Sequence, residues 1–444
     1  MFDYFKTSKN FLKLSVLAVA IVSISTLFPF IVGKYSWFRT TVDLAVIFFL
    51  LGLLFQDKSS VMSRKLSVVF RKPLVIAVSV FAAFFLLAGF FGINPSNSFW
   101  SNFERGEGGL QMLHLWAFFV LLVALFDEER DWRRLFGWAI GGGVLSGIYG
   151  FLAALGVSKT IGSPFSDAGF RFSGSIGNPA YLAAFSIFMI FYVLYLLHDL
   201  YPDRLKSAKA LALYVIGTAF AAMFFAAGTR GAFMGLVVAV IAGLFYFIYT
   251  RPSMRKWLFI IGFVLVILVG SLVYFKDTSF VKSIPGSRIF NISFSARTFE
   301  DRAIMWKIAL DGFKERPILG WGPENFIQVF DRHFNTNYFR PSEGFGAWFD
   351  RAHSIYFDYL VETGLLGLLS FLGIFAVFFR QLFRSAEISS GNISPFVKAL
   401  LFGLSLAYLI QGIVLFDVLV IYINVFTFLA FAAYLFGRPA AKQP

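Results

Sequence analysis

The residue best suited to acid–base chemistry is a histidine near the end of a long polar stretch between two apolar segments. Only 4 histidines occur in 444 residues, and His353 stands in the densest group of polar and aromatic residues. An imidazole titrates close to neutral pH, so a small shift of its pKa lets it accept a proton there. We therefore expect His353 to be a catalytic base. The alternative is an interfacial histidine whose ring nitrogens are satisfied by Asp350, Asp358 or a carbonyl.

Arginines between the apolar segments form a second group that could do chemistry. Arg230 lies in a very short hairpin between two apolar segments, with Gly228 before it and Gly231 after it. Arg105 and Arg171 lie in two other short connections. Guanidinium is always charged and presents a planar fork of donors that suits phosphate. These three arginines predict an anion site at the membrane surface. They could instead extend only to the interface, or pair with an acid such as Glu104.

A few neighbouring residues are candidates for supporting roles. Arg302 and Trp306 are one turn apart in a helical pattern that Pro317 stops, so they share a face. Arg302 also follows two acids, and could instead form an exposed ion pair. The candidate supporting residues are Trp306, Tyr356, His114 and Asn178. Asn178 and the proline after it are a good helix start.

The acids on the same side do not suggest a metal site. They are scattered along the chain, and none form a pair with the close spacing that a divalent ion needs. The chain has no cysteine, which excludes disulfides and cysteine metal sites. A bound pyrophosphate would have to be stabilised by arginines, so we expect no metal and no other cofactor.

The elements that must position these residues are membrane helices. The chain is 58% hydrophobic and only 14% charged, and runs of roughly 18 or more apolar residues predict membrane-spanning segments. In lipid each must be a closed helix, because no unpaired backbone can face hydrocarbon. Twelve such runs are predicted, centred near residues 22, 47, 82, 118, 145, 188, 218, 241, 265, 371, 405 and 427.

The distribution of positive charge predicts the orientation of these helices. A net charge of +14 could suggest nucleic acid, but most lysines and arginines of the short connections fall on alternate connections. This is the positive-inside pattern, so we expect both termini in the cytoplasm and no nucleic-acid partner. The fold class is an all-α polytopic membrane protein. We expect nine spans in residues 1–275, an external, partly helical loop in 276–353, and three spans with a short cytoplasmic tail in 354–444.

Several short motifs, in their order along essentially the whole chain, resemble the O-antigen ligase and polymerase superfamily. They are Arg105-Gly106-Glu107-Gly108, Gly177-Asn178-Pro179-Ala180-Tyr181-Leu182-Ala183, Thr229-Arg230-Gly231-Ala232, Arg302-Ala303-Ile304-Met305-Trp306, Arg316-Pro317-Ile318-Leu319-Gly320-Trp321-Gly322, Ala352-His353-Ser354-Ile355-Tyr356 and Glu362-Thr363-Gly364-Leu365-Leu366-Gly367. Ser354 departs from the family pattern, in which asparagine is common after the histidine.

The resemblance implies a polytopic glycosyltransferase of the GT-C type. Such enzymes take a glycan from an undecaprenyl-pyrophosphate carrier on the outer face of the cytoplasmic membrane, in a metal-independent, inverting reaction. By matching position, His353 resembles the family's essential histidine in the long external loop. Arg230 resembles the arginine of the hairpin between spans seven and eight, and Arg302 resembles the arginine of the long loop. The implied partners are the carrier-linked glycan, an acceptor glycolipid or glycan, and the bilayer.

We therefore expect an O-antigen ligase-like enzyme of the inner membrane, with its active site on the periplasmic face. The resemblance leaves a polysaccharide polymerase and a protein O-oligosaccharyltransferase open, because no motif here names the acceptor. A transporter would instead place charged residues or broken helices at mid-membrane, where Asp43 is the one clear acid. A structural scaffold would tolerate replacement of His353.

Overall fold

The protein is described by a computed structural model, which covers residues 2–56, 59–156, 171–202, 207–250, 253, 255–284, 286–290, 297–338, 348–387 and 393–438. Within these ranges the regular elements are helices and no strand occurs. They are α1 (Tyr4–Ser15), α2 (Val32–Phe55), α3 (Ser59–Val69), α4 (Pro73–Phe90), α5 (Pro95–Trp100), α6 (Gly109–Leu125), α7 (Glu129–Ala154), α8 (Pro179–Leu200), α9 (Ala208–Ala227), α10 (Arg230–Thr250), α11 (Arg255–Tyr274), α12 (Ser279–Ser283), α13 (Arg297–Glu315), α14 (Phe326–Arg332), α15 (Ile355–Glu387), α16 (Pro395–Gln411) and α17 (Leu419–Phe436).

Nine helices of the described chain are long and apolar enough to cross a membrane. They are α2, α4, α7, α8, α9, α10, α11, α15 and α17. The helices α6 and α16 are apolar but shorter, at 17 residues each. These eleven helices correspond to eleven of the twelve predicted runs, so the all-helical membrane architecture is confirmed. The total of twelve spans is not.

The predicted span near residue 22 is not a continuous helix. After α1 ends at Ser15, a 3-10 turn covers Val16–Ala20, and the chain then reverses. The Ser23 amide donates to the Pro29 carbonyl at 2.9 Å, which closes this reversal. Ala18 and Val19 are buried inside the bundle, whereas Ile24 and Leu27 beyond them are largely exposed. The first apolar run is therefore not a single helix of span length, and hydropathy alone did not show where its helix ends.

The bundle has a packed centre and a loosely covered edge. In the most hydrophobic stretches of α8 and α17, 83% of the residues are buried in the protein, whereas in that of α11 only 6% of the residues are buried. Aromatic rings fill the centre, where Phe136 stacks on Tyr192 with 4.4 Å between ring centroids and meets Phe431 edge to face at 5.0 Å. The central helices therefore form the rigid frame on which the ends of the bundle are built.

The helix α15 is bent where the segment before α14 docks onto it. Gly364 inside α15 has φ +66°, a conformation that favours glycine, and an added Cβ there would collide with the Ile318 carbonyl. The Trp321 amide donates to the Val361 carbonyl at 2.9 Å, and the Leu365 amide donates to the Pro317 carbonyl at 2.8 Å. The bend thus attaches this segment to the first turns of α15.

The helix that the pattern before Pro317 predicts is confirmed as α13. Its buried face includes Met305, Ile308 and Ala309, which pack with Trp321 and Phe326 in a hydrophobic cluster separate from the main core. The opposite edge carries the polar residues. This second small core holds α13, α14 and the start of α15 together at one end of the bundle, called the His353 end below.

Candidate active site

His353 lies immediately before α15 in a backbone conformation that is unusual for its residue type. Its φ is +60°, in the left-handed region, which costs of order 1–3 kcal/mol for such residues. The flanking backbone is held from two sides. Asp358 accepts from the Ala352 amide at 2.6 Å, and the Ile355 amide donates to the Gly412 carbonyl at 2.9 Å. The sequence therefore places His353 in a strained turn fixed by its neighbours.

The surroundings of the imidazole select one tautomer. Nδ1 of His353 lies 3.1 Å from the Arg351 carbonyl oxygen. A carbonyl can only accept, so Nδ1 carries the proton in the neutral ring and Nε2 is the basic nitrogen. Phe349 and Phe416 contact the ring edge to face, with centroids 4.9 and 5.2 Å away. Nε2 makes no hydrogen bond with any described residue, which leaves it available to a substrate hydroxyl.

The environment keeps this imidazole neutral. Burial lowers the pKa of His353 to about 4; the hydrogen bond to the Arg351 carbonyl opposes this shift, and the positive charge of Arg302 adds to it. The ring is therefore unprotonated near neutral pH. It can accept a proton, although its low pKa makes it a weak base until nearby positive charge is compensated.

Arginines from separate parts of the chain come close to one another, and we call Arg171, Arg230, Arg288 and Arg302 the arginine group. Arg171 donates to the Ala227 carbonyl and to the Thr229 hydroxyl, both at 3.1 Å, so it reaches the hairpin where α10 begins with Arg230. Burial and the charges of Arg288 and Arg230 lower the pKa of Arg171 to about 10.

The other side of the arginine group adjoins the histidine. Burial lowers the pKa of Arg302, and the charge of Arg230 lowers it further. The charge of Arg302 in turn acts on His353. Three of the four predicted pyrophosphate ligands, Arg171, Arg230 and Arg302, thus lie close enough to influence one another. Like charges gathered in this way are costly alone and favour a bound anion.

Arg288 was not among the sequence candidates. It is exposed in a 3-10 turn, Ser287–Phe290, that packs over the start of α10 through Phe290, whose ring centroid is 5.8 Å from that of Phe233. Gly286 has φ +81° and touches the end of α9, where an added Cβ would collide with the Phe225 carbonyl. Gly286 and the apolar pair Ile289-Phe290 were the signal in the sequence that this turn packs on the bundle.

The fourth predicted ligand, Arg105, has a carboxylate partner. Its Nε and Nη2 donate to the two carboxylate oxygens of Asp350 at 2.6 and 2.9 Å, a bidentate pair. Burial alone would lower the pKa of Arg105, but the pairing with Asp350 raises it. The guanidinium also lies over the Phe416 ring, 5.2 Å from the centroid. Arg105 therefore lies beside the ring that contacts His353, with its fork already occupied.

A second buried arginine was also missed. Arg351 is 5% exposed and forms ion pairs with Glu324, with Glu362 at 3.3 Å and with Glu107 at 3.8 Å. Burial raises the pKa of Glu107 to about 8, while the Arg351 charge opposes this. The three glutamates each stand within two residues of a glycine in the sequence, which was the available signal. We call Arg351 and these glutamates the carboxylate cluster.

The predicted supporting residues have mostly structural contacts. The Asn178 side chain accepts from the Ala180 amide at 2.8 Å and caps α8, so the predicted helix start is confirmed. The Tyr356 hydroxyl donates to the Leu409 carbonyl at 2.7 Å. Trp306 stacks on Phe357 at 5.2 Å, and its buried Nε1 has no partner among residues that the structure describes.

His114 has partners of its own. Its Nε2 lies 2.9 Å from Asp43 in α2, and its Nδ1 lies 2.7 Å from the Leu110 carbonyl. Both ring nitrogens are therefore engaged within the α2–α6 contact. In the described part of the chain, no group of three or more histidine, aspartate or glutamate side chains is arranged to hold a metal ion.

Comparison with known proteins gives a family for this arrangement. Residues 212–372 match the family model described as O-antigen ligase. The matched range contains Arg230, Arg302, Arg351, His353 and the bend at Gly364. No curated protein matches the chain. The family comprises membrane glycosyltransferases of the O-antigen ligase and polymerase type. The match confirms, over residues 212–372, the resemblance to the O-antigen ligase superfamily that the motifs showed.

Proposed function

We propose that this protein transfers a glycan from an undecaprenyl-pyrophosphate carrier to an acceptor hydroxyl, that of lipid A–core or a similar glycolipid. The observation that carries the proposal is the combination of an imidazole whose Nε2 no described residue engages with a group of arginines, of which Arg302 acts electrostatically on the imidazole. One part suits a base and the other suits a pyrophosphate. The reaction is inverting and independent of metal ions, as the resemblance implies.

The arginine group would bind and stabilise the leaving pyrophosphate. Arg230 and Arg302 contact the donor phosphates in this proposal, and Arg171 and Arg288 assist. As the bond between the anomeric carbon and the phosphate oxygen breaks, its electron pair and growing negative charge pass to the pyrophosphate. Guanidinium groups that are already in place stabilise this charge without reorganisation. Arg171 is held by two hydrogen bonds to the α9–α10 hairpin, which supports such preorganisation.

His353 would activate the acceptor. The acceptor oxygen attacks the anomeric carbon from the face opposite the pyrophosphate, and Nε2 takes the hydroxyl proton as the new bond forms. General-base assistance of this kind contributes about 10²–10⁴ in rate. The bound pyrophosphate would also compensate the charge of Arg302, which raises the pKa of His353 and strengthens the base.

We place the site on the external face of the cytoplasmic membrane. The support is the opposite end of the bundle, where basic residues predicted to be cytoplasmic meet. There Arg438 pairs with Glu129 at 2.7 Å, and Arg133 pairs with Glu129 at 3.0 Å and with Asp199. The positive-inside pattern assigns that end to the cytoplasm, and the His353 end then faces outward.

A reconstituted assay tests the proposal. Purified protein in lipid nanodiscs would receive a defined carrier-linked glycan and one of three acceptors: lipid A–core, a carrier-linked repeat, or a candidate protein. Gain of sugar on the lipid A–core is the expected result, with inversion at the anomeric carbon read by NMR. Gain on the repeat or the protein would instead identify a polymerase or a protein O-oligosaccharyltransferase. No transfer to any acceptor from a range of donors would overturn the proposal.

Replacing the histidine tests the base. His353→Asn suits this position because asparagine tolerates positive φ better than alanine does, so the turn is disturbed less. We expect a rate loss of about 10²–10⁴ in folded protein. Transfer at nearly the wild-type rate by monodisperse His353→Asn protein would show that another group removes the proton.

A further inference from the structure

We propose that Arg351 is a positioning residue that fixes the tautomer and orientation of His353, an inference that rests on the proposed function. The acceptor for His353 Nδ1 is the Arg351 backbone carbonyl, 3.1 Å away. A base presents the correct nitrogen only while this carbonyl stays in place. The side chain of Arg351 forms ion pairs with the three glutamates of the carboxylate cluster. The same residue therefore carries both the anchoring side chain and the carbonyl that His353 contacts.

The anchor joins parts of the chain that are distant in sequence. Glu107 precedes α6, Glu324 precedes α14, and Glu362 lies in α15 just before its bend. The Arg351 guanidinium contacts all three, and its Nη1 also donates to the Asp350 carbonyl at 3.2 Å. A planar fork can serve several acceptors in fixed directions, which a lysine ammonium on a flexible stem does not do.

Each glutamate is itself held by a further donor. Glu107 accepts from the Leu419 amide at 3.0 Å, and Glu362 accepts from the Glu324 amide at 3.1 Å. Glu324 accepts from the Ser101 hydroxyl at 2.7 Å. The carboxylates are therefore oriented before they meet Arg351, and the cluster is a rigid support.

Backbone strain is concentrated on this support. The non-glycine residues with positive φ in the described ranges are Ser101 at +63°, Glu324 at +68° and His353 at +60°. The first two belong to the carboxylate cluster or contact it, and the third is the residue it would position. Strained conformations persist only where surrounding contacts over-determine them. The cluster thus coincides with the turn that presents the imidazole.

A purely stabilising role would be a poor reason for such a cluster. Burying one guanidinium among three carboxyl groups is expensive, and well-packed apolar residues often replace buried ion pairs without loss of stability. A directional role explains the arrangement better. The buried fork determines where the Arg351 carbonyl points, and the carbonyl determines which imidazole nitrogen is basic.

The test is Arg351→Lys, assayed with a carrier-linked glycan donor and the acceptor found active above. We expect kcat to fall about 10- to 100-fold, as for a small displacement of a catalytic group, with the donor KM unchanged. Nitrogen-15 NMR of labelled histidines gives a second readout. The wild type should show the tautomer with Nδ1 protonated, and Arg351→Lys a mixture of tautomers. With 4 histidines, the His353 signal is assigned by its loss in His353→Asn.

The matched control is Arg438→Lys. Arg438 also donates to a glutamate and a hydroxyl, Glu129 at 2.7 Å and Tyr434 at 2.6 Å, but at the opposite end of the bundle. It should change neither kcat nor the His353 tautomer. If Arg351→Lys does not fold, Glu107→Gln replaces only the most distant carboxyl group by an amide, and should give a smaller kcat loss with a mixture of tautomers.

Two results would overturn the inference. One is folded Arg351→Lys, or Glu107→Gln where the lysine variant does not fold, with wild-type kcat and a single tautomer. The other is a loss confined to the yield of folded protein, with kcat per folded molecule and the tautomer unchanged, which would show a structural role alone. His353→Asn separates the two proposals, because a fully active His353→Asn protein would refute the proposed base itself.

Discussion

The arginines at the His353 end fall into two sets that differ in their partners. Arg105 and Arg351 are bound by carboxylates, Asp350 for the first and three glutamates for the second. Arg171 donates to a carbonyl and a hydroxyl, and Arg302 makes no ion pair with a described residue. A guanidinium already paired with a carboxylate attracts a further anion weakly, whereas one without keeps its donors for a ligand.

This difference suggests a division of labour. The carboxylate-bound arginines hold the backbone and rings around His353, and the arginine group binds the donor. Both sets lie close to the same imidazole, because the charges of Arg302 and Arg105 each lower the pKa of His353. Substitutions in one set should therefore affect catalysis differently from substitutions in the other.

The largest effect is expected in the arginine group. Arg230→Ala should lower kcat/KM for the carrier-linked donor by about 10²–10³, the usual cost of removing one preplaced donor to a developing charge. Arg230→Lys should recover only part of this, because lysine keeps the charge and lacks the fork. Measuring the rate at varied donor concentration with both variants gives these kcat/KM values. Equal activity of the alanine variant and the wild type would remove Arg230 from the donor site.

The carboxylate-bound set should give a smaller loss of another kind. Arg105→Lys breaks the bidentate pairing with Asp350, so the rings beside His353 shift and kcat should fall about tenfold with little change in the donor KM. Steady-state kinetics at varied donor concentration distinguish the two sets. A rise of the donor KM comparable to that of Arg230→Ala would instead make Arg105 a pyrophosphate ligand, as its sequence position suggested.

The two sets also predict a pH effect. His353 must be neutral to act, and its pKa of about 4 means that kcat/KM should fall only as pH drops through that region. Arg302→Gln removes a positive charge that lowers this pKa, so the pKa rises and the acid limb moves to higher pH. Profiles of kcat/KM between about pH 3 and 8 show the shift. An unmoved limb would mean that Arg302 does not act on the base.

Sequence reasoning predicted the frame and the arginine group better than the support of the histidine. Apolar runs predicted the long helices because burial in lipid requires about 20 apolar residues in a row. Arg171 and Arg230 could be predicted because each stands in a connection or at a helix end, where a cation needs a reason. Arg302, inside α13, was predicted from the resemblance of its motif to the family. The expected span near residue 22 was not confirmed, because the helical part of this run ends at Ala20 and the chain then turns back.

The carboxylate cluster could not be predicted in the same way. Glu107 is far along the chain from Glu324 and Glu362, and only the folded bundle brings all three to Arg351. Nothing local distinguishes these glutamates from surface acids except the nearby glycines. The positive φ of His353 is likewise imposed from outside, by contacts to residues far along the chain.

The smallest effect should come from Arg288, the exposed member of the arginine group. Its charge acts on Arg171, but an exposed cation is screened by salt over a Debye length of about 8 Å at physiological ionic strength. Arg288→Ala should therefore raise the donor KM only about two- to fivefold at low salt, and the difference from wild type should vanish at about 0.5 M salt. Arg230→Ala loses a guanidinium that contacts the donor directly, so it should remain impaired at both salt concentrations. If Arg288→Ala is as damaging as Arg230→Ala and equally insensitive to salt, the exposed turn closes over the donor and Arg288 contacts it directly.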